Sequence, residues 1–148
     1  MSPLAQALRF GGLQDVLSIL RRGVDPNAAG DFHLSAEDFE SKLDALMAHG
    51  WEIDRCQLLH DAKHGLGQRV IAYLDRGADP NTVDANGQTA LHKFAVAGIG
   101  KAAIEALVAA GAAIDAKDAE GNTPLDLARY AKRQSAYRAL CALTESRP

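Results

Sequence analysis

His60 and His64 stand four residues apart and are the pair whose type and spacing come nearest to chemistry. Two imidazoles at i and i+4 share one face of a helix, as in zinc-binding helices that read H-E-x-x-H. Here Asp61 follows His60 where that motif carries Glu, and no third ligand stands nearby in sequence. No serine lies in a G-x-S-x-G turn. Gly65-Leu66-Gly67 and Gly98-Ile99-Gly100 lack the strand before and the lysine after that a phosphate loop needs, so they read as turns between helices. Asp25, Asp79, Asp84, Asp115 and Asp118 fall in turns, where a carboxylate satisfies local backbone N–H groups. Cys56 and Cys141 are far apart with no C-x-x-C spacing, which predicts small buried thiols in helical segments and not a disulfide framework. These residues give no catalytic, cofactor or metal site, and the expectation is a protein that is not an enzyme.

The composition directs attention to packing. A chain of 148 residues can bury one core without staples. Apolar residues make up 47 % but aromatics only 5 %, so alanine and leucine carry the packing, which suits helices that approach closely. A net charge of −3 argues against a polyanion binder. Met1 to Gly12 has no signal-peptide core, and no apolar run approaches the ~20 residues of a spanning helix. A cytoplasmic protein without membrane contact is expected, and the alanine- and arginine-rich composition points to a bacterial source.

Helical periodicity then organises the chain. Ser2-Pro3 reads as an N-cap with proline at the first helical position, opening a helix over Leu4–Phe10 that Gly11-Gly12 stops. A second helix, Leu13–Arg22, puts Val16, Leu17 and Leu20 on one face and ends at Gly23. Gly23-Val24-Asp25-Pro26-Asn27 recurs almost unchanged as Gly77-Ala78-Asp79-Pro80-Asn81, 77 − 23 = 54 residues later. Gly50 lies midway, and laying 31–54 over 58–81 pairs Phe32 with Leu59, His33 with His60, Leu43 with Val70 and Gly50 with Gly77. The half-interval of 27 predicts two short repeats, each followed or preceded by a three-residue link, Ala28-Ala29-Gly30 and Arg55-Cys56-Gln57. Ser35 with Glu37 and Asp38 reads as a helix N-terminus. The buried stripe of that helix is Phe39, Leu43, Leu46 and Met47, while residues 28–36 are open to a helical turn or a loop. Further helix pairs are predicted at 58–64 with 68–76, 89–97 with 101–110, and 123–132 with 134–143.

From Gly77 to His92 the chain reads GADPNTVDANGQTALH, and the pattern returns at Gly111, 111 − 77 = 34 residues on. Asn86-Gly87 favours a turn because both residues tolerate positive φ, and Thr89 caps the helix that follows. Helix, glycine stop, turn, cap and helix at this period form a stacking unit. With Asp118-Ala119-Glu120-Gly121-Asn122-Thr123-Pro124-Leu125 close to its signature, the sequence resembles the ankyrin-repeat family. The resemblance implies an all-α, ankyrin-like repeat solenoid in one domain, with about five helix-pair repeats near 1–27, 28–54, 55–81, 82–115 and 116–148. The first half lacks full hairpins. It also implies that His92, at the family's TPLH histidine, is structural and hydrogen-bonds between repeats.

Ligands of that family bind the concave side, which places contacts at hairpin tips and at the ends of first helices. The tips are Ala85, Asn86, Gln88, Ala119, Glu120 and Asn122. The helix ends are Arg9, Phe10, Lys63, His64, Val96, Ala97 and Tyr130. Charge adds a second candidate surface. Asp31, Glu37, Asp38, Glu40, Asp44, Glu52 and Asp54 face only Lys42 in that stretch, whereas Arg129 onward carries five bases against Glu145. Acidity there coincides with Phe32 and Trp51 and with an irregular repeat, and would steer a basic partner to Phe32, Glu37, Asp38, Glu40, Trp51 and Glu52. The expected function is a non-enzymatic interaction module that binds and holds or inhibits a partner protein such as a toxin, effector or enzyme. It is expected to be a monomer when free and to bind neither nucleic acid nor cofactors. The alternatives are a structural or self-assembling scaffold, a metal-dependent enzyme built on His60, Asp61 and His64, or a stress-protection protein.

Overall fold

The computed structural model describes residues 2–29, 34, 38–51, 55–98 and 101–146. These hold nine α-helices, one short 3-10 helix and no strand, so the all-α expectation stands among the described residues. Two compact units divide the chain, Met1–Glu52 and Ile53–Pro148.

The first unit comprises α1 (Pro3–Phe10), α2 (Leu13–Arg21), a 3-10 helix (Pro26–Ala29) and α3 (Phe39–Ala48). Ser2 caps α1 by accepting the Ala5 N–H at 3.1 Å, and proline occupies the position where no intrahelical N–H bond is lost. Leu4, Leu8, Val16, Leu20, Leu34, Leu43 and Leu46 form its core. Lys42 is also fully buried, and its ammonium donates to the Gly11 carbonyl at 2.6 Å, tying α3 to the turn between α1 and α2. Gly50 and Trp51 close α3 in a Schellman motif, with Gly50 N–H on Met47 O and Trp51 N–H on Leu46 O.

In the second unit, α4 (Arg55–Lys63), α6 (Ala90–Ala97) and α8 (Pro124–Tyr130) pack side by side in one layer. The other layer holds α5 (Gly67–Asp75), α7 (Lys101–Ala109) and α9 (Gln134–Glu145). Alanine makes this close layering possible: Ala62, Ala90, Ala95, Ala128 and Ala136 are fully buried beside Phe94, Ile104 and Leu140. Between α4 and α5, buried Tyr73 donates its hydroxyl to buried Asp61 at 2.7 Å. Burial first, and then the Asp61 carboxylate, pushes the Tyr73 phenol far above its ordinary range.

Several boundaries differ from the sequence expectation. Arg55-Cys56-Gln57 belong to α4 and are not a link, because none of them breaks a helix and α4 simply starts earlier. Residues 49–54 alone join α3 to α4, whereas 76–89 and 110–123 join the later pairs. The helix read from Ser35 begins at Phe39, with Asp38 in the left-handed region at φ 54°. The reading of residues 30–33 and 35–37 falls outside the described residues. α8 ends at Tyr130 and not at Lys132, because Lys132 turns left-handed at φ 56°.

Candidate partner-binding surface

Two fingers project from the second unit between its helix pairs. Each is a three-residue hairpin loop: Gly87 N–H donates to Asp84 O, and Asp84 N–H to Gln88 O. In the next finger Gly121 N–H donates to Asp118 O, and Asp118 N–H to Asn122 O. A type I turn closed by a left-handed glycine has this form, and only Gly87 and Gly121 adopt positive φ, at 71° and 81°. Asn86 keeps an ordinary φ, although its type tolerates the other hand.

Aspartate organises each tip from inside. Asp84 Oδ1 accepts the N–H groups of Asn86 and Gln88 at 2.9 and 3.0 Å. Asp118 Oδ1 accepts those of Glu120 and Asn122 at 3.0 and 2.9 Å. Burial would raise the Asp84 carboxyl, but Lys93 and those two backbone donors outweigh it and hold it below its usual value. The Asn122 N–H, foremost, does the same for Asp118. Lys93 on α6 reaches both Asp84 and the Gln88 side chain, bracing the finger against its own helix.

The two fingers are tied to each other. Ala119 N–H donates to Asn86 O at 2.9 Å, and the Gln88 side-chain amide reaches Asp118 at 3.4 Å. His92, fully buried, accepts the Thr89 N–H on Nδ1 at 3.1 Å, so its proton sits on Nε2, which donates to Asn122 O at 2.9 Å. The structural role implied for His92 is thus what the geometry shows. Behind the fingers a second tie recurs. Asn81 donates to Gly111 O at 3.0 Å and accepts from Ala113 N–H at 2.8 Å. Its counterpart Asn27 donates to Gly50 O at 3.0 Å in the first unit. Sequence reasoning credited the aspartates of these segments and missed the asparagines, although their exact recurrence was a usable signal.

The candidate residues distribute as follows. Asn86, Gln88, Glu120 and Asn122 come together on the paired fingers, with Asn86 and Glu120 exposed and the other two half-buried. Lys63 and His64 are exposed at the C-terminal end of α4, and Tyr130 is 66 % exposed at that of α8. In the first unit, Asp38 and Glu40 are exposed and Phe10 is 72 % exposed, but Trp51 is only 7 % exposed. Trp51 sits where Ala78 and Ala112 sit in the later repeats and is turned into the protein, not offered to a partner. Phe32, Glu37 and Glu52 lie outside the described residues.

The His60 and His64 rings lie 4.3 Å apart, tilted by 58°, while Asp61 between them is turned to Tyr73. No cluster of three or more histidine, cysteine, aspartate or glutamate side chains stands ready for a metal among the described residues. No helix among them is long and apolar enough to cross a membrane.

Helix pairs, left-handed glycine stops and fingers linked by a buried histidine are the repeat unit that the sequence resemblance implied. A family model for ankyrin repeats matches residues 58–146 in three copies. The chain belongs to the ankyrin-repeat family. Ankyrin repeats are generally protein–protein interaction modules, and the paired fingers described above are built by two successive ones. The chain is also similar to a protein from Danio rerio described as "Putative palmitoyltransferase ZDHHC13", with 31 % identity over 142 residues. That match covers 86 % of this ankyrin-repeat chain and 22 % of the relative, so the chain spans about a fifth of that protein's length.

Proposed function

We propose that this chain is a non-enzymatic binding protein that holds or inhibits a partner protein such as a toxin, an effector or an enzyme. The observation that carries the reading is the stiffness of the paired fingers: every hairpin is held from inside by an aspartate and from the side by its neighbour, while Asn86 and Glu120 stay exposed at the tips. A pre-ordered tip loses little conformational entropy on binding. The reading includes five repeats in one chain, a cytoplasmic bacterial setting, a monomer when free, and a basic region of the partner attracted to exposed Asp38 and Glu40. The test is capture of a partner from cell extract on the immobilised chain, repeated with Asn86→Arg and Glu120→Arg, and separately with Asp38→Lys and Glu40→Lys. Loss of capture with the finger pair supports the reading. Capture that ignores both pairs of substitutions would sink it.

A further inference from the structure

The C-terminal ends of α4, α6 and α8 stand in register across the layer, and they differ in chemistry from the fingers at the opposite ends. Lys63, Val96 and Tyr130 occupy equivalent positions, one per repeat, and all three are exposed. The α8 end is the most charged: Arg129, Lys132 and Arg133 are exposed within five residues of chain, around Tyr130 at 66 % exposure. The Arg129 guanidinium lies 5.7 Å over the Tyr130 ring. Arg133 crosses Gly98 and donates Nε to the Val96 carbonyl at 3.0 Å, which holds its charge at the C-terminal end of α6.

Bases at helix C-termini offset the negative end of the helix dipole. The α8 end has three, and the first turn of α9 contains no acid to neutralise them. α6 contains no acidic residue, and Asp61 of α4 is buried against Tyr73. Asp126 of α8 is half-buried and engaged with Thr123, one turn before Arg129, whose charge also helps hold its carboxyl down. The strip therefore presents bases, a valine, a tyrosine and more bases in order, with no exposed carboxylate among them. Tyrosine and arginine on an exposed face are the residue types that anchor protein interfaces.

We propose that this strip docks an acidic segment of a partner protein, with an apolar side chain seated on Val96 and Tyr130 and carboxylates toward Lys63, Arg129, Lys132 and Arg133. Neighbouring packed helices lie about 8–10 Å apart, so the strip spans roughly 20 Å across three helices. An extended segment of about six residues covers that distance. This rests on the protein-binding reading and deepens it, giving the partner's chemistry at the first-helix ends as opposed to the finger tips.

The test is selection of random displayed peptides on the whole chain, followed by binding measurements on two variants. One combines Arg129→Glu with Lys132→Gly, and the other is Tyr130→Ala; all three side chains are exposed, and urea unfolding checks that each variant folds. The expected peptides carry Asp or Glu around a large apolar residue. They bind about tenfold or more weakly to either variant and lose affinity as salt is raised. Peptides that depend on the strip but are not acidic overturn the proposal. So does a duplex DNA oligonucleotide or a phosphatidylserine vesicle that binds more tightly and is released by the same substitutions. Peptides lost only with Asn86→Arg and Glu120→Arg overturn the acidic strip while leaving the finger-based reading intact. Selection of no peptide dependent on either surface counts against both.

Discussion

At Gly87 a side chain would face two separate obstacles. Its φ of 71° is left-handed, and a Cβ there would stand 3.1 Å from the Ala119 nitrogen, which donates to Asn86 O across the finger pair. The backbone term alone costs about 1–2 kcal/mol. Gly87→Ala is therefore expected to lower stability by at least that amount in urea unfolding, and a change within experimental error would show that the fingers separate without cost. Lys132 is the reverse case. It occupies at φ 56° the turn position that Gly65 and Gly98 fill at φ 74° in the two preceding repeats. Lys132→Gly relieves the left-handed strain but loosens the unfolded chain, so a net gain of about 0.5–1 kcal/mol is expected. Calorimetry that finds a loss would mean that the lysine side chain makes a compensating contact.

Elements in this protein are joined by a small number of buried or bridging polar groups. Asn81 links successive repeats by two hydrogen bonds, to Gly111 O and from Ala113 N–H, each contributing about 0.5–1.5 kcal/mol net. Asn81→Ala is expected to cost about 1–2 kcal/mol, read as a lower urea midpoint. The last repeat carries Asp115 and Asp126 at the positions of Asn81 and His92, since 81 + 34 = 115 and 92 + 34 = 126. Asp126 turns its carboxylate back to the N–H and hydroxyl of Thr123, a bond within its own repeat in place of the His92 link to the next. Between α4 and α5, Tyr73→Phe leaves the buried Asp61 without its hydroxyl donor, and a loss of about 1–3 kcal/mol is expected from equilibrium unfolding.

For the molecule as a whole, these groups set opposite limits in pH. Asp84, Asp118 and Asp126 are all held below the ordinary carboxylate value, by Lys93 and backbone N–H groups at Asp84 against the upward pull of burial, and by backbone N–H groups foremost at the other two. The unfolded chain binds protons on these groups before the folded one does. Their stabilisation is therefore complete above about pH 4 and is lost as pH falls through the lower folded values. Tyr73 works in the other direction: its raised folded value leaves stability whole below about pH 10 and eroding as pH rises further, when the unfolded phenol ionises first. A urea midpoint that stays level through neutral pH and drops on both sides is expected, with the alkaline drop absent in Tyr73→Phe. A midpoint unchanged between about pH 5 and pH 3 would show that the finger aspartates do not govern stability.

Sequence alone determined the repeat itself, because its signals are local: a glycine that ends a helix, an aspartate that satisfies the next turn, a threonine that caps the next helix. Those interactions span four residues or fewer, so Gly77 to His92 could be read without knowing what lies opposite. The pairing of helices was legible for the same reason, through spacing at 27 and 34 residues, while the place of His92 came from the resemblance to the family. Tertiary structure decided what depends on distant partners. Trp51 reads as a partner contact because it coincides with acidity and an irregular repeat, and only the packed fold shows it 7 % exposed. The asparagine ties, Lys42 on Gly11 and Arg133 on Val96 join residues 23 to 37 positions apart, a separation over which composition and periodicity carry no information about contact. The family resemblance already grouped Lys63, Val96 and Tyr130 as helix ends, and the structure added Arg133 bonded to Val96 and Arg129 over Tyr130 to that row.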